Sequence, residues 1–240
     1  MKIQDSIRLC IRDYEAKEHD SAMLHVCNAV DGMANMLYRD GDDKRKFTSF
    51  VKANYDIISA VSFPSLFFQK CEFPFRDSTI QDYRNKYLSQ LIYVVHRCNH
   101  CHGKEIPEGY ELIFDDQPDD ITSFEQEDNF PDISCDFSYK DGAIRINAKV
   151  IPALAMAVIL QPINWEKSNI KELNKCYIDS CVLGKLGINE WWGRERDFKR
   201  ELEKAGFPNK YDRQAVITQI GDDNRISGIE IWHESEFRQY

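Results

Sequence analysis

Between Met23 and Leu37 the apolar residues Met23, Val26, Cys27, Val30, Met33, Ala34 and Leu37 return at spacings of three and four. Such spacing lays an apolar stripe along one side of a helix, and another element has to cover it. It predicts a helix over Asp20 to Leu37, stopped near the Asp40-Gly41 turn, and commits the start of the chain to helix-on-helix packing. Asp42 caps a second helix, which runs through Phe47, Phe50 and Val51 toward Tyr55. A third is expected to open at Ser78 or Thr79 and reach about His102, with Gly103 as its stop. Val150 to Gln161 makes a further helix that Pro162 helps to end.

Other stretches carry different signals. Phe63 to Phe75, with two prolines among aromatics, reads as irregular but buried packing, and the acidic Asp115 to Asp132 as a loop. Ile133 to Tyr139 and Ala143 to Ala148 alternate around Lys140-Asp141-Gly142, which predicts a hairpin. Trp192 to Ala205 predicts a helix closed by Gly206 and Pro208. Gln214 to Ile220 and Arg225 to Trp232 predict a second hairpin. The expected class is α+β, mainly α: an antiparallel helical bundle with one or two short hairpins. Residues 1–165 would form the helical domain, including the first hairpin, and 166–240 a small α+β extension.

Composition narrows the partners. Forty Asp and Glu stand against 31 Lys and Arg, a net charge of −9, which is the wrong sign for a protein that coats nucleic acid. Any RNA site must therefore be local. The most apolar stretch, Val150 to Ile163, contains two prolines and is shorter than the roughly 20 residues a membrane span needs. Met1 to Tyr14 holds no hydrophobic signal core. A soluble cytoplasmic protein without a membrane partner is expected, with its eight cysteines (10, 27, 71, 98, 101, 135, 176 and 181) as reduced thiols.

The densest chemistry lies in Tyr93-Val-Val-His-Arg-Cys-Asn-His-Cys-His-Gly103. Cys98-Asn-His-Cys-His102 matches the C-x-x-C-H haem attachment pattern, but that pattern belongs to exported chains. Cys98, Cys101 and a histidine are competent zinc ligands, yet a structural site wants a second ligand pair, and Cys176 and Cys181 are poorly spaced for it. No metal and no cofactor are expected. A structural reading is also open. At about 100° per residue Leu88, Leu91, Ile92, Val95, Cys98, Asn99 and His102 share one helix face, where His102 could serve as a hydrogen-bonded core histidine. Arg97 lies about 140° round from His102, beside Tyr93 and His100, so the helix carries polar groups on a second face as well.

Arg97, four intervening residues and His102 at the end of a helix resemble the Arg-x(4–6)-His signature of the HEPN family. Tyr87-Leu88 and Leu91-Ile92-Tyr93 lead into the arginine, and Gly103 with Glu105-Ile106-Pro107 leads away. The helix from His25 to Leu37 is similar to the one that precedes the motif in that family, and Val150 to Val158 to the helix after the motif in its single-domain members. The resemblance spans roughly residues 10 to 165. It implies a helical domain with Arg97 and His102 as catalytic residues, and with Asp31, Tyr93, Asn99 and His100 in support. Asp31 would stand where an acidic or polar residue often points toward the site. A homodimer, with two copies of the site facing each other, is likewise implied.

The implied activity is metal-independent cleavage of single-stranded RNA to 2′,3′-cyclic phosphate and 5′-hydroxyl ends. A histidine suits either proton role near neutral pH, and an arginine stays charged against the phosphorane. Active HEPN ribonucleases typically carry Asn, Asp or His directly after the arginine, where this chain has Cys98. The alternative is a non-catalytic HEPN-like interaction or regulatory module with a protein partner, of the kind found in defence or toxin–antitoxin systems.

Overall fold

A computed structural model describes residues 2–62, 72–76, 83–100, 110–113, 137–140, 143–162, 171–208, 213–220 and 226–233. Residues 63–71 of the segment Phe63 to Phe75, the acidic stretch 115–132 and His102 lie outside the described residues; the end of that segment, 72–75, is not irregular as expected but part of a strand.

Two helices at the start form an antiparallel hairpin, α1 (Ile3–Glu15) and α2 (His19–Leu37). Ala22, Met23, Val26, Cys27, Ala29, Val30, Met33 and Ala34 of α2 are buried, which is the stripe the spacing requires. Ile7, Cys10 and Ile11 of α1 meet it. The chain reverses at Lys17, whose φ of 62° lies in the left-handed region. At the turn end, Asp13 accepts a hydrogen bond from Ser21 Oγ at 2.6 Å. At the far end, Gly32 lets α1 in closely: a Cβ there would stand 2.8 Å from Ile3 Cγ1.

The next helix is capped as expected. The Asp42 side chain accepts from the Arg45 N–H at 2.7 Å, at the start of α3 (Asp43–Ala53). Asn54 then interrupts the helix, and α4 (Tyr55–Ser62) follows. Asn54 Nδ2 donates to Phe50 O at 2.8 Å, while its Oδ1 accepts from Gln161 Nε2 at 2.9 Å. A long-range partner therefore fixes this break.

The third helix, expected to run from Ser78 or Thr79 to about His102, does not include residues 83–87. Residues 83–87 are a strand, β2 (Tyr83–Tyr87), paired antiparallel with β1 (Glu72–Arg76) in the register Glu72↔Tyr87. Strand pairing supplies the backbone partners that a helix would have supplied, and Tyr83, Asn85 and Tyr87 alternate with Arg84 and Lys86 as a strand allows. The helix begins instead at α5 (Leu88–Ile92), where Gln90 Oε1 accepts from the Tyr87 N–H at 3.2 Å. It continues through Tyr93–His100 as a π-helix.

The first hairpin forms as expected from β4 (Phe137–Lys140) and β5 (Ala143–Asn147), and β3 (Tyr110–Ile113) adds to β5 in parallel. After it comes α6 (Val150–Ile159), buried along its whole length, with Pro152 tolerated in its first turn. It packs among α1, α2 and α4 as the centre of the core. Among the described residues no helix is long and apolar enough to cross a membrane.

Residues 171–208 close over the ends of α4 and α6. Strands β6 (Tyr177–Ser180) and β7 (Gly184–Gly187) form a small hairpin that the alternation did not reveal. Ser180 Oγ and the Val182 N–H both donate to Ala60 O, and the Cys181 N–H donates to Val61 O. Gly193 and Glu195 N–H groups reach Ile159 O and Leu160 O. The last carbonyls of two buried helices thus find partners, as a buried helix end demands. Helix α7 (Glu195–Ala205) starts three residues later than expected and ends at Gly206, whose φ is 85°. Strands β8 (Arg213–Ile220) and β9 (Ile226–His233) make the expected second hairpin. The fold is α+β and mainly α.

Candidate functional site

The π-helical stretch decides what the Tyr93–His100 segment presents. Leu88, Leu91, Ile92 and Val95 are fully buried and anchor it to the core. A π-helix bonds i to i+5, so residues five apart come to one side, about one turn along. Tyr93 and Cys98, five residues apart, stand close enough for each to act on the other's electrostatics.

Arg97 sits on the same side and meets α2. Its Nε donates to Asp31 Oδ2 in a close ion pair. The two side chains are 22% and 16% exposed, so solvent screens the pair less than one at the surface. Burial pushes the Asp31 carboxyl up from its ordinary value; the Arg97 guanidinium pulls it back, and Asp43 adds to the rise. Burial also pushes the Tyr93 phenol up to about 12, with Cys98 and Asp31 contributing and Arg97 opposing. Tyr93 is a neutral donor at neutral pH. Its ring is held from below by Phe47 of α3, edge-on at 5.4 Å between centroids.

The structure thus brings together Arg97, Asp31 and Tyr93. Asn99 and His100 belong to the π-helix, but their side chains lie outside the described residues, as does His102. The C-x-x-C-H match shares that fate beyond Cys98, which is a half-buried free thiol. Among the described residues no group of three His, Cys, Asp or Glu side chains could hold a metal ion.

His96 was not singled out from the sequence. It is fully buried on the inner side of the helix, and its Nε2 lies 2.8 Å from the Tyr110 hydroxyl of β3, with the rings edge-on at 5.0 Å. Burial drives the Tyr110 phenol upward, and Cys27 adds to it. This pair fastens the back of the Arg97 helix to the sheet. The signal was present, because His96 is four residues after Ile92 and so shares the apolar face. Tyr110 carried none.

A second polar cluster links α1 to α2. Asp13, only 5% exposed, accepts from Arg12 Nε at 2.6 Å and from Ser21, and His25 Nε2 stands 3.4 Å from its Oδ2. Burial pushes the Asp13 carboxyl up, but Ser21, Arg12 and His25 outweigh it and hold it below the usual range. His25 Nδ1 is buried without a hydrogen-bond partner, and burial lowers the imidazole pKa.

A mainly helical α+β protein with an arginine–carboxylate pair between two core helices is the class this geometry defines. The chain belongs to the Rv1289 family, whose model matches residues 2–218, from α1 into β8. Uncharacterized protein Rv1289 of Mycobacterium tuberculosis (strain H37Rv) is 22% identical over 204 residues, covering 83% of this chain and 87% of its own. Uncharacterized protein Mb1320 of Mycobacterium bovis matches with the same identity and coverage. No solved structure matches the chain.

Proposed function

We propose that this chain is a HEPN-like protein of the cytoplasm, and that Arg97 with Asp31 behind it forms the phosphate-binding part of a metal-independent endoribonuclease site. The observation that carries the reading is the Arg97–Asp31 ion pair, between residues 66 positions apart that the HEPN resemblance assigns to one site. An arginine held through Nε by a carboxylate is fixed in orientation, which is what recognition of a phosphate requires.

In the proposed reaction His102 takes the proton from a ribose 2′-OH, and the 2′-oxygen attacks the adjoining phosphorus. The bond to the 5′-oxygen breaks, and a proton from a second copy of His102 is delivered to that leaving oxygen. Arg97 faces the charge that gathers on the phosphorane oxygens. The two histidines require a homodimer with the Arg97 helix near its two-fold axis.

The test uses single-stranded RNA in EDTA with analysis of the product ends. Cyclic 2′,3′-phosphate and 5′-hydroxyl ends are expected; 5′-phosphate ends or uncut RNA would overturn the reading. A second reading has its own observation. Cys98, a half-buried free thiol, occupies the place where active HEPN ribonucleases typically have Asn, Asp or His. A non-catalytic HEPN-like module that binds a protein partner through the same face would fit that substitution and the net charge of −9.

A further inference from the structure

Tyr93 stands beside the Arg97–Asp31 pair, and two contacts of its own determine where. Its backbone opens the π-helix. Phe47, fully buried on α3, packs edge-on against its ring at 5.4 Å and an interplanar angle of 65°. The ring is half-buried rather than sealed in the core. Arg97, four residues on, stands close enough for its charge to act on the Tyr93 phenol, so the ring and the guanidinium are neighbours on the scale of one nucleotide.

An aromatic ring braced on one side, electrically neutral, and one turn from a fixed arginine is the arrangement that single-strand readers use. The ring stacks an unpaired base while the cation meets the adjoining phosphate. Tyrosine spends little conformational entropy in this role, and here the bracing by Phe47 has already been made in the fold.

We infer that Tyr93 is a nucleobase platform beside Arg97, so that the site takes an unstacked base of a single-stranded RNA on this ring. The inference rests on the reading of Arg97 as a phosphate-binding residue. It adds a requirement that the phosphate chemistry alone does not impose: a base free of its own helix at the position next to the contacted phosphate. Double-stranded RNA is excluded by that requirement.

The test uses the full chain and a ten-nucleotide 2′-O-methyl RNA carrying 2-aminopurine, which cannot be cleaved and whose fluorescence falls on stacking. Wild type should bind it with quenching. Tyr93→Phe should bind within about twofold and quench equally, because the ring is kept. Tyr93→Leu, which fills the space without an aromatic face, should bind about tenfold or more weakly and lose the quenching, in line with the worth of one base–aromatic stack. Binding and quenching by Tyr93→Leu equal to wild type would overturn the platform. A loss in Tyr93→Phe as large as in Tyr93→Leu would also overturn it, by assigning the effect to the hydroxyl. If wild type binds and quenches but leaves the unmodified strand uncut, the platform stands and the catalytic reading alone fails. If wild type does not bind the oligonucleotide, both fall.

Discussion

Arg97 of the π-helix donates through Nε to the carboxylate of Asp31 on α2, and so ties the two helices that the proposed site needs to hold in register. A pair of this kind, part-buried and well aligned, stabilises more than an exposed one but leaves a cost on whichever partner remains when the other is removed. Asp31→Asn and Arg97→Gln should each destabilise the fold. The double variant should be less destabilised than their sum by about 1 kcal/mol in urea unfolding. Additive effects would mean that the two side chains meet without holding the helices together.

His25 and Asp13 predict a two-stage acid response. Burial lowers the His25 imidazole pKa, Asp13 pulls it back up, and Arg12 adds to the lowering. The unfolded chain therefore takes up that proton first as pH falls below about 6.5. Stability contributed by neutral His25 is present above that point and lost as pH drops through the folded value. Asp13 is held below the usual carboxylate range, so its contribution is present above about pH 4 and lost on further acidification through its own folded value. Urea midpoints measured from pH 7.5 to 3 should fall in both windows. His25→Gln should flatten the upper one and narrow the lower only in part, because Ser21 and Arg12 still hold the Asp13 carboxyl down. An unchanged upper window in that variant would place the titration elsewhere.

The His96–Tyr110 contact predicts a cost without a loss of packing. Tyr110→Phe keeps the ring among the same neighbours but removes the hydroxyl 2.8 Å from a fully buried imidazole nitrogen. Removing one partner of a buried hydrogen bond costs about 1–3 kcal/mol. Urea unfolding should show a loss in that range with native circular dichroism retained. Wild-type stability would mean that the hydroxyl contributes nothing at this position.

These residues also show which parts of the molecule the chain makes visible. Helix α2 and helix α6 could be read directly, because one is buried along a single stripe and the other on all sides, and both patterns survive in the residue types. The Asp42 cap and the two hairpins were legible for similar local reasons. The break at Asn54 was not, since it depends on Gln161, 107 residues away. Nor was the strand at 83–87, where pairing with 72–76 overrides a plausible helix start at Ser78. The π register of 93–100 concerns which carbonyl each N–H reaches, and no residue type announces that. In the site, Arg97 and Asp31 were found through resemblance and meet in the fold. His96 stood on the apolar face and was readable as a buried polar residue, while its partner Tyr110 is distant in the chain's local pattern and could not be inferred.

The most direct measurement is the rate of single-stranded RNA cleavage in EDTA by wild type, Arg97→Ala, His102→Ala and His100→Ala, each checked for a native unfolding transition. Arg97→Ala should lose about 10²–10³-fold and His102→Ala about 10²–10⁴-fold, because one removes charge from the phosphorane and the other a proton transfer. His100→Ala should stay within a few-fold of wild type. Wild-type protein that leaves RNA intact in EDTA, or a folded Arg97→Ala variant that cleaves at the wild-type rate, would contradict a ribonuclease site at Arg97.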